Sequence, residues 1–249
     1  MRAISEAEVY LWKCWRDSRL LFLTVLGAVL ATGALFAYVA FDPFGWIAAK
    51  TVDQRALWQF TAEAFYGTAL GVVPAAGLLL GALGVGTEFE RRTADFLLTH
   101  PRPRRWFLWT SWGLGAAQMA LLVVVCSLVR FAAPASSRFR AGTLENLLVS
   151  MVALWTLAMV YFSLTYLATT LTRNSRNGTG LALGVFTAYA IAFLTLRNFY
   201  DIHIPFIEEL FRLTFRSTAG SSFNLVAGWL AVCLVMTVAA QFVFDRAEV

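Results

Sequence analysis

The chain has 249 residues, of which 59% are hydrophobic and 14% are charged, and its mean hydropathy is +0.66. A soluble domain usually carries about a quarter charged residues, so this composition excludes water as the main solvent. The net charge of +5 indicates membrane topology and contact with lipid headgroups, and it does not favour nucleic-acid binding. Three scattered cysteines and two histidines predict neither a disulfide framework nor a metal centre.

The N-terminal segment is predicted to be helical. Ser5 and Glu8 have the spacing of a capping box, and the residues that follow place an aromatic face opposite Lys13, Arg16 and Asp17. We interpret residues 5–18 as a helix that lies in the membrane interface before the first span. The alternative is an ordinary extension of that span.

Charge-free runs follow along the chain, and each reaches the roughly 20 residues that a helix needs to cross a bilayer. The runs do not alternate as the strands of a β-barrel would. They predict an all-α polytopic membrane protein, a single transmembrane domain over residues 1–249. The six predicted spans cover residues 20–41, 64–87, 106–129, 146–172, 177–196 and 217–244.

Six spans place both termini on one side of the membrane. Twelve of the 20 Lys and Arg residues fall on that side, which favours cytoplasmic termini.

Two further features concern the spans and their loops. Span two carries Gly77 and Gly81 near Pro74, and span five carries Gly180 and Gly184. Such small-residue pairs allow close helix approach and can form a face toward a second chain. The alternative is that the pairs arise by chance in Gly-rich spans. Before span six, the segment that begins at Pro205 has helical periodicity and predicts an amphipathic helix at the outer leaflet.

The sequence lacks the motifs that several kinds of chemistry require. Neither Lys13 nor Lys50 follows a phosphate-binding Gly-rich loop, so we expect any ATPase to be another polypeptide. His100 and His203 are predicted on opposite sides of the membrane, which argues against a paired-histidine metal site. The charge-free spans argue against a proton-driven transporter. We therefore predict no catalytic residue, no metal site and no cofactor within the chain.

The loop between spans two and three, residues 88–105, is the most informative stretch. Thr87 and Glu90 have the spacing of a second capping box, and Pro101 and Pro103 end the helix that it would start. The pattern predicts a two-faced cytoplasmic helix that follows directly from a span. This helix is either an interfacial spacer or a lever that a cytoplasmic partner grips.

At this loop the sequence resembles the permease subunits of ABC transporters of the type-two exporter class, and the layout of spans extends the resemblance over the whole chain. Arg92 stands where these proteins commonly have Gly. The residues that match their pattern in order and spacing are Glu88, Glu90, Thr93, Asp95, Leu97, Leu98, Pro101, Arg104 and Arg105.

The resemblance implies two permease chains, identical or related, and two separate cytoplasmic ATPase subunits that bind ATP and magnesium. Closure of the ATPases would push residues 88–105 and the N-terminal helix, and would switch the bundle between inward-facing and outward-facing packings. The implied location is the bacterial cytoplasmic (inner) membrane.

The resemblance also assigns roles to residues, which are expectations at this point. Polar contacts to the ATPase are expected from Glu88, Glu90, Arg91, Arg92 and Asp95; anchoring from Phe89, Phe96 and Leu97; the helix end at Pro101; and the membrane boundary at Arg104 and Arg105. Spans two and five would line the pathway, with Phe65, Tyr66, Thr187 and Tyr189 as candidates.

Two other functions are compatible with the sequence. A non-transporting membrane anchor or scaffold would use the same cytoplasmic helix without an ATPase partner, and an intramembrane enzyme would need a catalytic constellation that the sequence lacks. Charge-free, aromatic spans suit apolar or amphipathic cargo, but solvation by the membrane explains them equally well.

Overall fold

The computed structural model describes residues 6–41, 71–90, 103–131, 144–200 and 222–246, and all regular structure within these ranges is helical. The all-helical fold class is therefore confirmed for this part of the chain. The helices are α1 Glu6–Phe41, α2 Gly71–Ala82, α3 Val85–Glu90, α4 Arg104–Phe131, α5 Leu144–Thr172, α6 Ser175–Tyr200 and α7 Ser222–Asp245.

Four of the described helices are long and apolar enough to cross a membrane. The qualifying stretches are Glu8–Leu35 in α1, Arg104–Leu128 in α4, Leu147–Thr172 in α5 and Asn224–Asp245 in α7. The described part of α2, Gly71–Ala82, is shorter. The spans predicted at 64–87 and 177–196 remain predictions, and the amphipathic segment at Pro205 lies outside the described residues.

Helix α5 is the central helix of the described bundle. In its most apolar stretch 61% of the residues are buried, against 22% in α1, 39% in α4 and 28% in α7. It packs against α3, α4, α6 and α7. Its buried Thr156, Thr165 and Thr170 donate their hydroxyls to carbonyls one turn back on the same helix, so α5 satisfies these polar groups without a partner helix.

The glycines of α2 allow that helix to lie directly on the backbone of α5. A Cβ atom added to Gly77 would be 2.6 Å from the Ala158 carbonyl oxygen, and one added to Gly81 would be 2.6 Å from that of Phe162. Such short distances leave no room for a side chain. This glycine pair is therefore used for packing within the chain, whereas Gly180 and Gly184 of α6 face open space.

The interpretation of residues 5–18 as a separate interfacial helix is wrong. Helix α1 runs without interruption through 36 residues, which corresponds to about 54 Å, so the alternative of an extended first span is what the structure shows. Tyr10 packs against Trp106 and Phe107, at ring-centroid distances of 5.6 and 4.9 Å. The N-terminal turns of α1 therefore lie alongside the start of α4.

The helix within the predicted second span ends before residue 87. Helix α2 stops at Ala82, and Leu83 and Gly84 form a tight turn before α3 begins at Val85. The capping box predicted at Thr87 is wrong, since Thr87 lies inside α3 and donates its hydroxyl back to the Gly84 carbonyl at 2.8 Å. The turn at Gly84 is fixed by packing against a residue that is distant in the sequence, as described below. Polar residues in the local sequence therefore do not mark its position.

Candidate functional site

Five parts of the fold meet at one end of the bundle, which we call the α3 end: α3 itself, the N-terminal turns of α1 and α4, the turn between α5 and α6, and the C-terminal turn of α7. Arg104 donates from Nη1 to the Asp245 carbonyl at 3.0 Å, which joins the start of α4 to the end of α7. Tyr10 of α1 packs against Phe107 of the same α4 turns. The first and last described helices, α1 and α7, therefore reach the same end of the bundle.

Glu88 connects α3 to α1. Its Oε2 lies 2.5 Å from Nζ of Lys13, 75 residues earlier in the sequence. The Glu88 side chain is only 9% exposed and that of Lys13 is 28% exposed. A carboxylate this deeply buried needs a cationic or hydrogen-bonding partner, because leaving it without one would cost several kcal/mol. Glu88 is therefore turned into the bundle in this conformation.

Glu90 connects α3 to the start of α6. Its Oε2 accepts hydrogen bonds from the Ser175 hydroxyl at 2.6 Å and from the Ser175 backbone N–H at 3.3 Å. One residue earlier, the Asn174 side chain caps α6 by accepting from the Asn177 N–H at 3.0 Å. The N-terminus of a helix carries unpaired N–H donors and a partial positive charge, which a carboxylate stabilises.

Phe89 connects α3 to α7 and to the turn between α5 and α6. Its ring meets that of Phe244 edge-on, with centroids 5.7 Å apart. The Arg173 guanidinium carbon lies 5.7 Å from the centroid of the same ring, within the range of a cation–π contact. Arg173 has a left-handed backbone (φ 53°), which reverses the chain between α5 and α6 within two residues.

Three consecutive residues of α3 thus contact three different helices. Side chains of successive helical residues point about 100° apart, so Glu88, Phe89 and Glu90 cover most of the circumference of α3. A helix of six residues is too short to be stable alone in water. Its conformation depends on these contacts, so a displacement of α3 acts on α1, α6 and α7 together.

The turn between α2 and α3 is held by Tyr166 of α5. A Cβ atom added to Gly84 would lie 2.6 Å from Cδ2 of the Tyr166 ring, so only glycine allows this approach. The Tyr166 hydroxyl donates to the Leu108 carbonyl at 3.0 Å and lies 2.7 Å from the Ser111 hydroxyl. The contact of Gly84 with Tyr166 therefore links the turn through α5 to α4.

A small cavity lined by both polar and apolar residues lies beneath α3, between α1, α2, α4 and α5. The space open to the centre of a water molecule measures about 30 Å³, which is enough for about two waters. Next to it, Nε2 of Gln118 donates to the Ser18 hydroxyl at 2.8 Å. The polar residues that line the cavity are Tyr10, Asp17, Ser18, Glu88, Ser111, Gln118 and Tyr166.

The structure describes seven of the residues that the sequence predicts for the site. Glu88, Phe89, Glu90 and Arg104 contact other helices of the chain, as given above, and Arg105 is exposed. In α6, Thr187 is exposed and bonded to the Leu183 carbonyl, and Tyr189 is half-buried. The predicted residues outside the described ranges are Phe65, Tyr66, Arg91, Arg92, Asp95, Phe96, Leu97 and Pro101.

Sequence reasoning missed the intrachain partners of α3. The sequence pattern predicts Lys13 on the face opposite the aromatic residues of its helix, and it assigns no role to Ser175 or Phe244. Lys13 and Glu88 are complementary charges, but nothing in the sequence pairs two residues 75 positions apart, and Asp17 is an acidic residue much nearer to Lys13 in the sequence. Within the described residues, no group of three His, Cys, Asp or Glu side chains could hold a metal ion.

The comparisons with known proteins agree with the resemblance. The sequence model of the family described as "ABC-2 family transporter protein" matches residues 11–249. A comparison with curated proteins gives no significant match. Because the family match covers nearly the whole chain, the chain belongs to the ABC-2 transporter family, and it is an integral membrane permease of an ABC transporter.

Proposed function

We propose that this member of the ABC-2 transporter family is the membrane half of an ATP-driven exporter, and that α3 transmits movement from a separate ATPase subunit to the helix bundle. The family implies an ABC ATPase as partner. In the proposal that subunit binds ATP and magnesium, and a second permease chain, identical or related, completes the complex. The protein lies in a bacterial inner membrane, and its α3 end faces the cytoplasm.

The observation that carries this proposal is the three-way attachment of α3. A lever must be rigidly joined to what it moves, and Glu88, Phe89 and Glu90 join α3 to α1, α7 and α6. Because Glu88 and Phe89 are engaged within the chain, we assign them to transmission. Contact with the ATPase is assigned to the polar residues that follow, Arg91, Arg92 and Asp95.

The proposed mechanism is a change between two packings of the same helices. Nucleotide-driven closure of the ATPase displaces residues 91–105, and α3 moves with them. Because α3 is held by α1, α6 and α7, these helices shift together and the bundle passes from inward-facing to outward-facing. The pathway is proposed to lie beside spans two and five, where Phe65, Tyr66, Thr187 and Tyr189 are the candidate lining residues.

The test compares two phenylalanines near the same end of the bundle. Phe89→Ala removes the contacts with Phe244 and Arg173, whereas Phe242→Ala removes a ring of α7 that is 61% exposed. The permease is co-expressed with the ABC ATPases of its source genome, the complex that co-purifies is reconstituted in lipid nanodiscs, and ATP hydrolysis is measured. We expect Phe89→Ala to retain the ATPase subunit but to lower permease-dependent hydrolysis at least ten-fold, with Phe242→Ala within two-fold of the unmodified complex.

Normal hydrolysis in the Phe89→Ala complex would remove the transmission role of α3. Lack of any ATPase subunit that co-purifies with the permease would instead favour a non-transporting anchor. The direction of transport is tested with inside-out membrane vesicles and a panel of amphipathic fluorescent dyes that stimulate hydrolysis. Export corresponds to ATP-dependent accumulation inside these vesicles, and ATP-dependent depletion would contradict it.

A further inference from the structure

The outer face of α1 carries two exposed arginines near the α3 end. Arg16 and Arg19 lie one turn apart, on the side of α1 opposite Tyr10 and Ser18, which are buried against α4. Within the described ranges of the chain, neither arginine has a hydrogen-bond or ion-pair partner. We call Arg16 and Arg19 the α1 arginine pair.

The other cations of the α3 end differ from this pair. Lys13, Arg104 and Arg173 each contact another helix or turn of the chain, as described above. The further exposed arginines of this end lie at the ends of three different helices and are Arg105, Arg176 and Arg246. Among the described residues, the α1 arginine pair is therefore the place where two guanidinium groups without a protein partner share one helix face.

The position of the pair along α1 corresponds to the lipid headgroups. From Leu20 to Phe41 the helix has no charged residue and is about 33 Å long, close to the hydrocarbon thickness of about 30 Å. Leu20 and Leu23 are 77% and 54% exposed on the outer side of α1, so this side faces the lipid chains. Arg19 directly precedes this stretch, and Arg16 lies about 4.5 Å further from the hydrocarbon.

The direction of the side chains strengthens this assignment. Side chains of an α-helix tilt toward its N-terminus, which for α1 is the direction away from the hydrocarbon. Both guanidinium groups of the pair can therefore extend into the headgroup layer while their methylene stems stay beside the apolar chains.

We propose that the α1 arginine pair binds the phosphate group of an anionic phospholipid. A guanidinium group donates two parallel N–H bonds to phosphate oxygens, and two such groups one turn apart can reach one phosphodiester together. The nearest acidic residue in the sequence, Asp17, lines the cavity on the inner side of α1 and leaves the outer face cationic. An anionic headgroup complements this face, whereas the ammonium of a zwitterionic headgroup offsets its own phosphate.

The bound lipid fixes the depth of the N-terminal turns of α1 in the membrane. Lys13 lies one turn before Arg16, and its ion pair with Glu88 joins these same turns to α3. The lipid thus holds one of the helices against which α3 moves. This role, and the location of the site in the cytoplasmic leaflet, rest on the proposed function, but lipid binding can be measured on the permease without an ATPase.

The experiment is native mass spectrometry of the full-length permease in detergent, titrated with phosphatidylglycerol in the presence of an equal amount of phosphatidylcholine. One variant combines Arg16→Gln with Arg19→Gln. The matched control combines Arg176→Gln with Arg246→Gln, which removes the same charge from the same end of the bundle.

We expect the variant of the α1 arginine pair to bind phosphatidylglycerol at least ten-fold more weakly, because each Arg near an anionic surface contributes about five-fold in affinity. The control should change this affinity less than three-fold, and the weaker binding of phosphatidylcholine should be the same in all forms.

Thermal unfolding separates the loss of lipid from a loss of folding. Without anionic lipid, the variant of the α1 arginine pair should unfold within about 2 °C of the unmodified permease, because its two side chains are exposed. Phosphatidylglycerol should raise Tm in the unmodified and control forms, and less than half as much in this variant. A second variant with Arg16→Lys and Arg19→Lys keeps the charges but loses the paired N–H bonds, so its affinity should lie between the two.

Equal losses of affinity in the two Gln variants would mean that lipid is attracted by net charge alone, and this result would overturn the inference. Unchanged affinity in the variant of the α1 arginine pair would also overturn it, and if that variant no longer retained an ATPase subunit, the face would belong to the ATPase. Failure of every form to retain an ATPase would instead contradict the proposed function, and the lipid affinities would still decide the inference.

Discussion

The ion pair between Lys13 and Glu88 gives the sharpest prediction about stability. Replacing Glu88 with Gln leaves the Lys13 ammonium without its carboxylate. An exposed pair contributes about 1 kcal/mol or less, and breaking a fully buried pair costs about 3–5 kcal/mol. With side-chain exposures of 9% and 28%, this pair lies between the two limits, and we expect a loss of about 2 kcal/mol. At about 2–4 °C per kcal/mol for a chain of this size, Tm falls by about 4–8 °C.

The assay is thermal unfolding of the purified permease in detergent, arranged as a double-mutant cycle. Lys13→Met and Glu88→Gln are measured alone and together, and Arg16→Met serves as the control because Arg16 is exposed on the same helix. The exchanged pair, Lys13→Glu with Glu88→Lys, is expected to recover at least half of the lost Tm. Strictly additive losses in the cycle, with no recovery on exchange, would show that the two side chains are not coupled.

Three further predictions concern the packing around α3. Gly81→Ala places a Cβ atom 2.6 Å from the Phe162 carbonyl oxygen and is expected to lower Tm by several degrees. The control, Gly184→Ala, faces open space and should leave Tm unchanged or slightly raised. Equal effects of the two substitutions would contradict the α2–α5 contact. Tyr166→Phe loses the hydrogen bond to the Leu108 carbonyl and should cost about 1 kcal/mol in thermal unfolding, an expectation that an unchanged Tm would contradict. Glu90→Ala should lower the free energy of unfolding by about 1 kcal/mol or less. Glu90→Lys should lower it further, because it places a cation at the N-terminus of α6. A Lys variant as stable as the Ala variant would argue against the contact with Ser175.

Several helices could be predicted closely from the sequence. The predicted spans at 106–129 and 146–172 differ by at most two residues at either end from α4 and α5, because a charge-free run of bilayer length leaves few alternatives to a helix. The gap predicted between the spans at 146–172 and 177–196 contains the turn between α5 and α6, because Arg173 and Arg176 interrupt the hydrophobic run there. In these regions the local composition determines the structure.

The failures share a different cause, which is a partner distant in sequence. The break at Gly84 lies against the Tyr166 ring, and the N-terminal part of α1 is bonded to distant residues, Lys13 to Glu88 and Ser18 to Gln118. Read alone, the charges of α1 favoured an interfacial helix because their partners inside the protein could not be identified. The family pattern indicated the loop that contains Glu88, Phe89 and Glu90, and the role of that loop stays a prediction. The inward attachment of Glu88 and Phe89 required the tertiary structure.

The separation of Lys13 and Glu88 in the sequence also has a consequence for how the protein is made. Helix α1 leaves the ribosome first, and 75 more residues must be synthesised before Glu88 emerges, which takes about 4–15 s at usual rates of translation. During that interval the ammonium group of Lys13 has no carboxylate from α3 beside it in the inserting chain. The N-terminal turns of α1 can therefore reach their final position only after α2 and α3 have been made, and α1 completes its assembly later than its place in the chain suggests.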